Sequence, residues 1–273
     1  MVINKNSELA FEFWKTGRLP CVIRDFHAHM DDHAGIYFPF CDVDSVVKDM
    51  DKNGVKSLFF CGHHALYDPI NGESFNPVSV KKHPDRLRAY HIIHSRFLCP
   101  EKAIEDVDKN PDVYAGFKIL GDYNRFPISD SCHAPYYEYI NKTGKLLLLH
   151  TWGGSANDGY KEVEKIAKNY PDITIICGHS FFGEQKEGIE ATKKYPNVYY
   201  ELTAIPIVRG YLEDIVKAAG SERVLFGTDL PWFSTMHGVG AVLGAEITDE
   251  DRLNIFYRNG DKIIKRLYPD SDL

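Results

Sequence analysis

The sequence predicts an α/β protein with one domain, folded as a closed (β/α)8 barrel. Eight short apolar runs recur along the 273 residues, and helix-like segments separate them. A barrel of this kind typically takes about 250 residues. No low-complexity linker or charge block divides the chain. We therefore assign residues 21–273 to the barrel and residues 1–20 to an N-terminal extension.

The eight predicted strands are mostly continuous apolar runs, as expected for a parallel sheet that is covered on both faces. Successive runs start 25 to 34 residues apart, which leaves room for one helix and two short loops in each interval. An open doubly wound sheet is the alternative fold. No G-x-G-x-x-G follows the first run, which disfavours the dinucleotide-binding version of that sheet. The runs begin at Cys21, Val55, Leu87, Val113, Lys145, Ile173, Val198 and Arg223.

Helix signals lie between the runs. The first predicted helix opens on Asp42, a good N-cap residue, and ends before Gly54, a residue suited to the left-handed conformation that ends helices. The second unit is the weakest, because residues 67–77 are rich in turn formers and leave room for only a short helix before Pro84. The clearest helices are predicted at Asp42–Asn53, Gly159–Tyr170, Tyr211–Ala219 and Thr248–Leu267.

Composition excludes several classes of partner. The net charge of −7, from 32 basic and 39 acidic residues, leaves no basic excess for nucleic acid or an anionic membrane. No run of 18 apolar residues could span a bilayer, and the first twenty residues contain no secretory signal pattern. The six cysteines form no C-x-x-C pair. We expect a reduced, cytoplasmic protein that acts on a small molecule, and the sequence leaves open whether it forms a homo-oligomer.

Two histidines end the first predicted strand. His27 and His29 are separated only by Ala28, and side chains alternate faces along a strand, so both imidazoles point to one side. Neutral imidazole is a good ligand for zinc and similar divalent ions. A metal needs three or four ligands, and this motif supplies two. The alternative is that these histidines end the strand without binding a metal.

Other ligand-type residues also end predicted strands. His150 ends the fifth run, His179 the sixth and Asp229 the eighth. In a (β/α)8 barrel the functional residues collect at the carboxyl ends of the strands. We therefore expect these side chains to meet His27 and His29 in one pocket.

As an ordered set, these motifs resemble those of the amidohydrolase superfamily. The matching features are H-x-H on the first strand, a histidine after the fifth and sixth, and Phe-Gly-Thr-Asp-Leu-Pro-Trp ending the eighth. Within it, the chain resembles the amidohydrolase-related branch of TIM-barrel hydrolases and non-oxidative decarboxylases. The resemblance implies one divalent metal, most plausibly zinc, bound by His27, His29, His150 and Asp229.

The same resemblance implies roles for the neighbouring residues. His179 would stand beside the metal-bound water or join a second ion, and Asp229 would shuttle a proton. Members with two metals usually carry a bridging carboxylate on the fourth strand, either a glutamate or a carboxylated lysine. Lys118 could fill this role, but a shift of one residue in register would turn it away from the barrel axis. We expect one metal and leave a second open.

Further polar residues near strand ends are candidates for substrate binding. His63 and His64 follow the second run, and Arg96, after the third, can clamp a carboxylate through two parallel hydrogen bonds. Trp232 is a candidate pocket wall, with a packed aromatic as the alternative. Polar loop residues are frequent, so an ordinary surface role is the alternative for the histidines. Glu201, with Thr203, can line the pocket or hold a ligand histidine from behind.

Three functions follow from this reading. The first is a metal-dependent hydrolase in which metal-bound hydroxide attacks an amide, ester or lactone. The second keeps the same site but performs non-oxidative decarboxylation or hydration of a small carboxylated substrate. The third is a barrel that binds a small ligand without catalysis, which the full set of ligand-type residues disfavours.

Overall fold

Eight parallel strands form the centre of the fold in the computed structural model, which describes residues 7–205 and 208–273. Each strand pairs in parallel with the next one in the chain, from the first to the eighth. This topology is a nearly closed (β/α)8 barrel of one domain, as predicted. The strands are β1 Ile23–Met30, β2 Val55–Gly62, β3 Leu87–Ile93, β4 Tyr114–Ile119, β5 Leu146–Trp152, β6 Thr174–Phe182, β7 Val198–Glu201 and β8 Val224–Leu225.

The apolar strand sequences reflect burial of both faces of the sheet. Along β5, Leu146 and Leu148 belong to a cluster inside the barrel that also contains Phe26 of β1. The alternate residues Leu147 and Leu149 belong to a second cluster, which the surrounding helices share. Because each strand has apolar neighbours on both sides, its sequence is a continuous apolar run and not an alternation.

Helices separate the strands and cover the outside of the barrel. Asp42 caps its helix by accepting a hydrogen bond from Ser45 N at 3.0 Å, and Gly54 ends that helix with a φ of 77°. No helix in the described part of the chain is long and apolar enough to cross a membrane. The helices are α1 Glu8–Thr16, α2 Val43–Asn53, α3 His63–Tyr67, α4 Pro69–Gly72, α5 Phe75–Lys82, α6 Pro100–Lys109, α7 Gly121–Asn124, α8 Ala134–Thr143, α9 Tyr160–Asn169, α10 Gln185–Thr192, α11 Tyr211–Ala219, α12 Thr235–Gly244, α13 Asp249–Leu253 and α14 Asn259–Leu267.

The last predicted helix is one continuous segment in the sequence but is divided in the structure. A π-helical turn at Asn254–Arg258 separates α13 from α14. Beyond it, the buried Asn259 donates hydrogen bonds to the carbonyls of Ser221 and Val224, at 2.7 and 2.9 Å. Gly260 lies so close to β1 that an added Cβ would be 2.7 Å from Cβ of Arg24. The widened turn therefore coincides with the docking of the C-terminal helix onto β1 and β8.

Part of the predicted extension is helical and packs on the barrel. Ser7 caps α1 by accepting a hydrogen bond from Ala10 N, and the backbone N–H groups of Glu8 and Leu9 donate to the carboxylate of Asp249. Residues 1–6 lie outside the described residues. Asp249 also begins α13, so this carboxylate joins the start of α1 to the start of α13.

Backbone hydrogen bonds between β1 and the segment after β8 close the barrel. The carbonyl of His27 accepts from the N–H groups of Thr228 and Asp229, at 3.1 and 2.7 Å, and His29 N donates to Leu230 O at 2.6 Å. A parallel bridge also joins Ala28 to Leu230. These bonds hold Asp229 beside the two histidines of β1.

The closure also contains a buried polar pair. The Thr228 hydroxyl donates to Asp25 Oδ2 at 2.7 Å, and His27 N donates to Asp25 Oδ1 at 3.1 Å. We expect Thr228→Val to lower the free energy of unfolding by about 1–3 kcal/mol, because it leaves a buried carboxyl oxygen without this donor. Urea unfolding measures the change. Thr228→Ser, which keeps the hydroxyl, is the control, and an equal loss in both variants would contradict the role of this hydrogen bond.

Candidate metal centre

Four side chains from three strand ends meet at the carboxyl end of the barrel. Donor atoms of His27, His179 and Asp229 lie within 4.8 Å of one another, and all three residues are buried. His29 joins them, since its Nε2 lies 3.2 Å from Asp229 Oδ1, the same oxygen that is 3.3 Å from His27 Nε2. The structure therefore brings together residues that are up to 202 positions apart in the sequence, from 27 to 229.

Glu201 orients the imidazole of His27. Its Oε2 lies 2.8 Å from His27 Nδ1 and also accepts from His179 N, and its Oε1 accepts from the N–H and the hydroxyl of Thr203. Burial raises the pKa of Glu201 to about 8, but both oxygens face donors, which favours the ionised carboxylate. With its Nδ1–H donating to Glu201, His27 turns the lone pair of Nε2 toward the cluster.

A backbone carbonyl orients the imidazole of His29 in the same way. His29 Nδ1 lies 3.0 Å from Cys61 O, which can only accept, so this nitrogen carries the proton and Nε2 is free to act as a ligand. Burial also holds the pKa of His27 well below its usual value. Two histidines thus present unprotonated Nε2 atoms on one side of β1, in the form that binds a metal.

Asp229 supplies the negative charge. Burial alone would raise the pKa of this carboxyl, but the neighbouring imidazoles of His27 and His29 outweigh it and hold the pKa well below the usual range. Its backbone is left-handed, with a φ of 57°, and that conformation is uncommon for a residue other than glycine. The closing hydrogen bonds to His27 hold Asp229 in this position.

His179 and His150 form a hydrogen-bonded pair at the edge of the cluster. His179 Nε2 lies 3.0 Å from His150 Nδ1, and burial lowers the pKa of both imidazoles. In the part of the chain that the structure describes, the buried Nδ1 of His179 makes no hydrogen bond. His179 is thus one of the three residues whose donor atoms lie within 4.8 Å of one another, whereas His150 only contacts His179 through this hydrogen bond. The family resemblance assigns the ligand role to His150, and that assignment stays a prediction.

The backbone that presents His179 is held in an unusual conformation. His179, Ser180 and Phe181 have φ values of 66°, 42° and 63°, three consecutive left-handed residues without a glycine. Side-chain hydrogen bonds hold this segment: Ser180 Oγ donates to Glu201 O at 2.7 Å, and Phe181 N donates to Thr151 Oγ1 at 2.9 Å. Strain of this kind persists where the surroundings enforce it, and it concentrates at functional sites.

Lys118 also points into the cluster. Its side chain is only 1% exposed, and its Nζ lies 2.7 Å from His27 Nε2, so the register of β4 turns it toward the barrel interior. Burial lowers its pKa, and the nearby Asp229 opposes that shift. An ammonium and a metal ion cannot share one lone pair, so a cation at His27 Nε2 requires Lys118 to leave this contact. Carboxylation of Lys118 stays a prediction.

The donor set fits a divalent cation. It combines imidazoles with one ionised carboxylate in a buried pocket. In His27 and His29, the Nδ1 atom is hydrogen-bonded to Glu201 and to Cys61 O, respectively. Nitrogen and carboxylate donors with fixed hydrogen-bonded neighbours are the usual surroundings of catalytic zinc and of related ions.

The predicted substrate-binding residues occupy different places. His63 stacks on His29 with the ring centroids 4.9 Å apart, donates to Asp31 O and accepts from Trp232 Nε1 at 2.9 Å, so it forms a wall beside the cluster with Trp232. Burial lowers its pKa to about 3, which keeps it neutral. His64 lies outside the cluster, where its partly exposed Nε2 is 3.5 Å from Asp68 Oδ2.

A cavity beside this wall contains Arg96 and residues that the sequence analysis did not identify. It has a volume of about 650 Å³, and Arg125, Tyr67 and His33 also line it. The His33 ring contacts that of His63, with the centroids 5.5 Å apart. These residues lie in the segments that follow β1, β2 and β4, and a single sequence carries no signal that brings such segments together.

The fold and the site define the class of barrels whose functional residues lie at the carboxyl ends of the strands. More specifically, the chain belongs to the amidohydrolase family, whose model matches residues 81–265. His27 and His29 lie before the matched range. No curated protein matches the sequence.

Several solved structures share the fold. A 2,6-dihydroxybenzoate decarboxylase from Rhizobium has a TM-score of 0.69 at 14% identity, over 89% of this chain and 99% of that one. A dihydroxybenzoic acid decarboxylase from a Polaromonas species, solved with manganese and 2-nitroresorcinol, has a TM-score of 0.69 at 17% identity, over 90% of this chain and 97% of that one. A 5-carboxyvanillate decarboxylase from Novosphingobium aromaticivorans, solved with manganese, has a TM-score of 0.69 at 13% identity, over 90% of this chain and 96% of that one. Likeness at these identities establishes the fold.

The position of Glu201 leads to a test of the ligand geometry. We expect Glu201→Ala to weaken the binding of a divalent metal about 10- to 100-fold, because His27 loses the partner that fixes its tautomer and ring orientation. Titration with Zn²⁺ or Mn²⁺ followed by calorimetry measures this effect. Glu222→Gln, which changes an exposed glutamate, is the control, and unchanged metal affinity in Glu201→Ala would contradict the role of Glu201.

Proposed function

We propose that this chain is a metal-dependent decarboxylase that removes a carboxyl group from a small aromatic acid without oxidation. The observation that carries the proposal is the activity of the structures it resembles. Those from Rhizobium, Polaromonas and Novosphingobium are decarboxylases of dihydroxybenzoates or of 5-carboxyvanillate, and each covers 89–90% of this chain. The buried donor set at the carboxyl end of the barrel is suited to such chemistry.

We assign the metal to His27, His29 and Asp229, with His179 or His150 as a further ligand. The family resemblance favours Zn²⁺, whereas the Polaromonas and Novosphingobium enzymes were solved with manganese. When bound, the ion would neutralise negative charge on the oxygens of the substrate. One ion per chain is our expectation, and Lys118 together with His179 is the place for a second.

The reaction breaks the bond between the ring carbon and the carboxyl carbon. Carbon dioxide leaves, the electron pair of the bond stays on the ring carbon, and a proton must then reach that carbon. Asp229 is suited to move this proton, because its carboxylate is ionised and can take a proton from a substrate hydroxyl and return it to the ring. His63 and Trp232 would form one wall of the substrate pocket.

Hydrolysis is the second candidate, favoured by the family match itself. In that reaction the same residues would serve an attack on an amide, ester or lactone, again with Asp229 as the proton shuttle. Release of carbon dioxide from an acid and cleavage of an ester or lactone distinguish the two reactions directly.

The decarboxylase proposal is tested with metal-loaded protein and a panel of hydroxybenzoic acids. We expect release of carbon dioxide, loss of that activity in a chelator, and its recovery when Zn²⁺ or Mn²⁺ is returned. The double variant His27→Ala with His29→Ala should lose the bound metal, measured by elemental analysis, and the activity by at least about a thousandfold. His83→Ala, at a surface histidine beside Asp44, is the control. Full activity without metal, or no release from any acid of the panel, would overturn the proposal.

A further inference from the structure

The two histidines of β1 have different hydrogen-bond partners, one a carboxylate and one a backbone carbonyl. Glu201 Oε2 lies 2.8 Å from Nδ1 of His27, whereas Nδ1 of His29 donates to the carbonyl oxygen of Cys61 at 3.0 Å. A carboxylate partner raises the basicity of a metal-binding imidazole more than a neutral acceptor does. The carbonyl of Cys61 belongs to the same peptide group as the N–H of Gly62, and the other side of this 61–62 peptide group leads to a second buried carboxylate.

A chain of buried hydrogen bonds joins the 61–62 peptide group to Glu73. Gly62 N donates to Asn76 Oδ1 at 2.9 Å, and Asn76 Nδ2 donates to Glu73 Oε1 at 2.7 Å. Asn76 is fully buried, and Glu73 is 9% exposed. Both partners fix the orientation of the amide, because a backbone N–H can only donate and a carboxylate can only accept. The contact also requires a glycine, since a Cβ at Gly62 would lie 3.2 Å from Asn76 Oδ1.

The surroundings of Glu73 favour its negative charge. Its Oε2 accepts from Ile92 N at 3.3 Å and lies 4.0 Å from Nδ1 of His91. Burial raises the pKa of Glu73, and the nearby His91 opposes that shift. Burial alone would lower the pKa of His91, but the carboxylates of Glu73 and Asp106 outweigh it and raise the pKa. Hydrogen bonds at both oxygens, together with an imidazole that binds a proton readily, stabilise the ionised form of Glu73.

We infer that Glu73 and Asn76 are positioning residues for His29. They act through the 61–62 peptide group: the carboxylate polarises the amide, and the amide polarises the peptide group, so the carbonyl becomes a stronger acceptor for Nδ1–H of His29. A stronger hydrogen bond at Nδ1 fixes the imidazole ring and makes Nε2 a better metal ligand. This role rests on the proposed function, which assigns His29 to the metal.

The chain of hydrogen bonds is tested in metal-free protein by NMR of histidine labelled with ¹⁵N. The Nδ1–H signal of His29 is identified by its absence from His29→Ala. We expect the proton of this group to shift upfield in Glu73→Gln and in Asn76→Ala, because each change weakens the acceptor. Asp106→Asn is the matched control, because it removes the other carboxylate beside His91 and lies outside the chain. Its Nδ1–H signal should stay at the position of the wild type.

Metal affinity measures what the chain contributes to the ligand. In calorimetric titrations with Zn²⁺, we expect Glu73→Gln and Asn76→Ala each to weaken binding about three- to tenfold, less than the loss of a direct partner, because polarisation fades along the chain. Both changes interrupt the same chain, so the double variant should bind as weakly as Asn76→Ala alone. Asp106→Asn should bind Zn²⁺ as the wild type does.

The outcomes separate this role from the proposed function. An unmoved Nδ1–H signal in the folded variants, an equal shift in Asp106→Asn, or losses of affinity that multiply in the double variant would each overturn it. The NMR measurement needs neither metal nor turnover, so a signal that moves only in Glu73→Gln and Asn76→Ala supports the chain even if no acid is decarboxylated. Backbone ¹H–¹⁵N spectra check that the variants fold, and Asn76→Ala alone decides the question if Glu73→Gln does not fold.

Discussion

The candidate metal centre depends on how β1 and β8 are joined. The carbonyl of His27 accepts the N–H groups of Thr228 and Asp229, while the imidazole of the same residue faces Asp229 and Glu201. The bonds that close the barrel are therefore the bonds that place the carboxylate beside the histidines. Closure of the barrel and the placement of Asp229 in the cluster therefore depend on the same hydrogen bonds.

Burial and charge then set the chemistry of the cluster. Removal from water lowers the pKa of His27 and His179, since a charged ring is costly in a dry pocket. For Asp229, burial is outweighed by attraction to a proton on His27 and by a hydrogen bond with His29, which hold the pKa well below the usual range. Neutral nitrogen donors around one ionised carboxylate leave an excess of negative charge that a divalent cation can balance. Lys118 is the competing cation, and its contact with His27 Nε2 makes it the residue that any bound metal must displace.

The sequence predicts this site better than its surroundings, for a physical reason. Residues at strand ends converge whenever the barrel forms, so His27, His29, His179 and Asp229 could be placed from the strand pattern alone. The orientation of Lys118 could not, because side chains alternate along a strand and an error of one residue reverses the face. The interruption of the last helix at Asn254–Arg258 depends on tertiary contacts of Asn259, which the helical periodicity does not contain.

The cavity beside the cluster is built by loops and not by strand ends. Arg96, Arg125 and His33 come from three loops, and their common cavity exists because side chains such as Asn124 link one loop to another. Such links depend on single hydrogen bonds and not on a repeated pattern, so they leave no periodic trace in the sequence. A family of barrels can therefore keep the strand-end cluster while its loops change the anions that reach it. For this chain, the strand-end cluster follows from the barrel itself, whereas the cavity beside it depends on loop contacts such as those of Asn124.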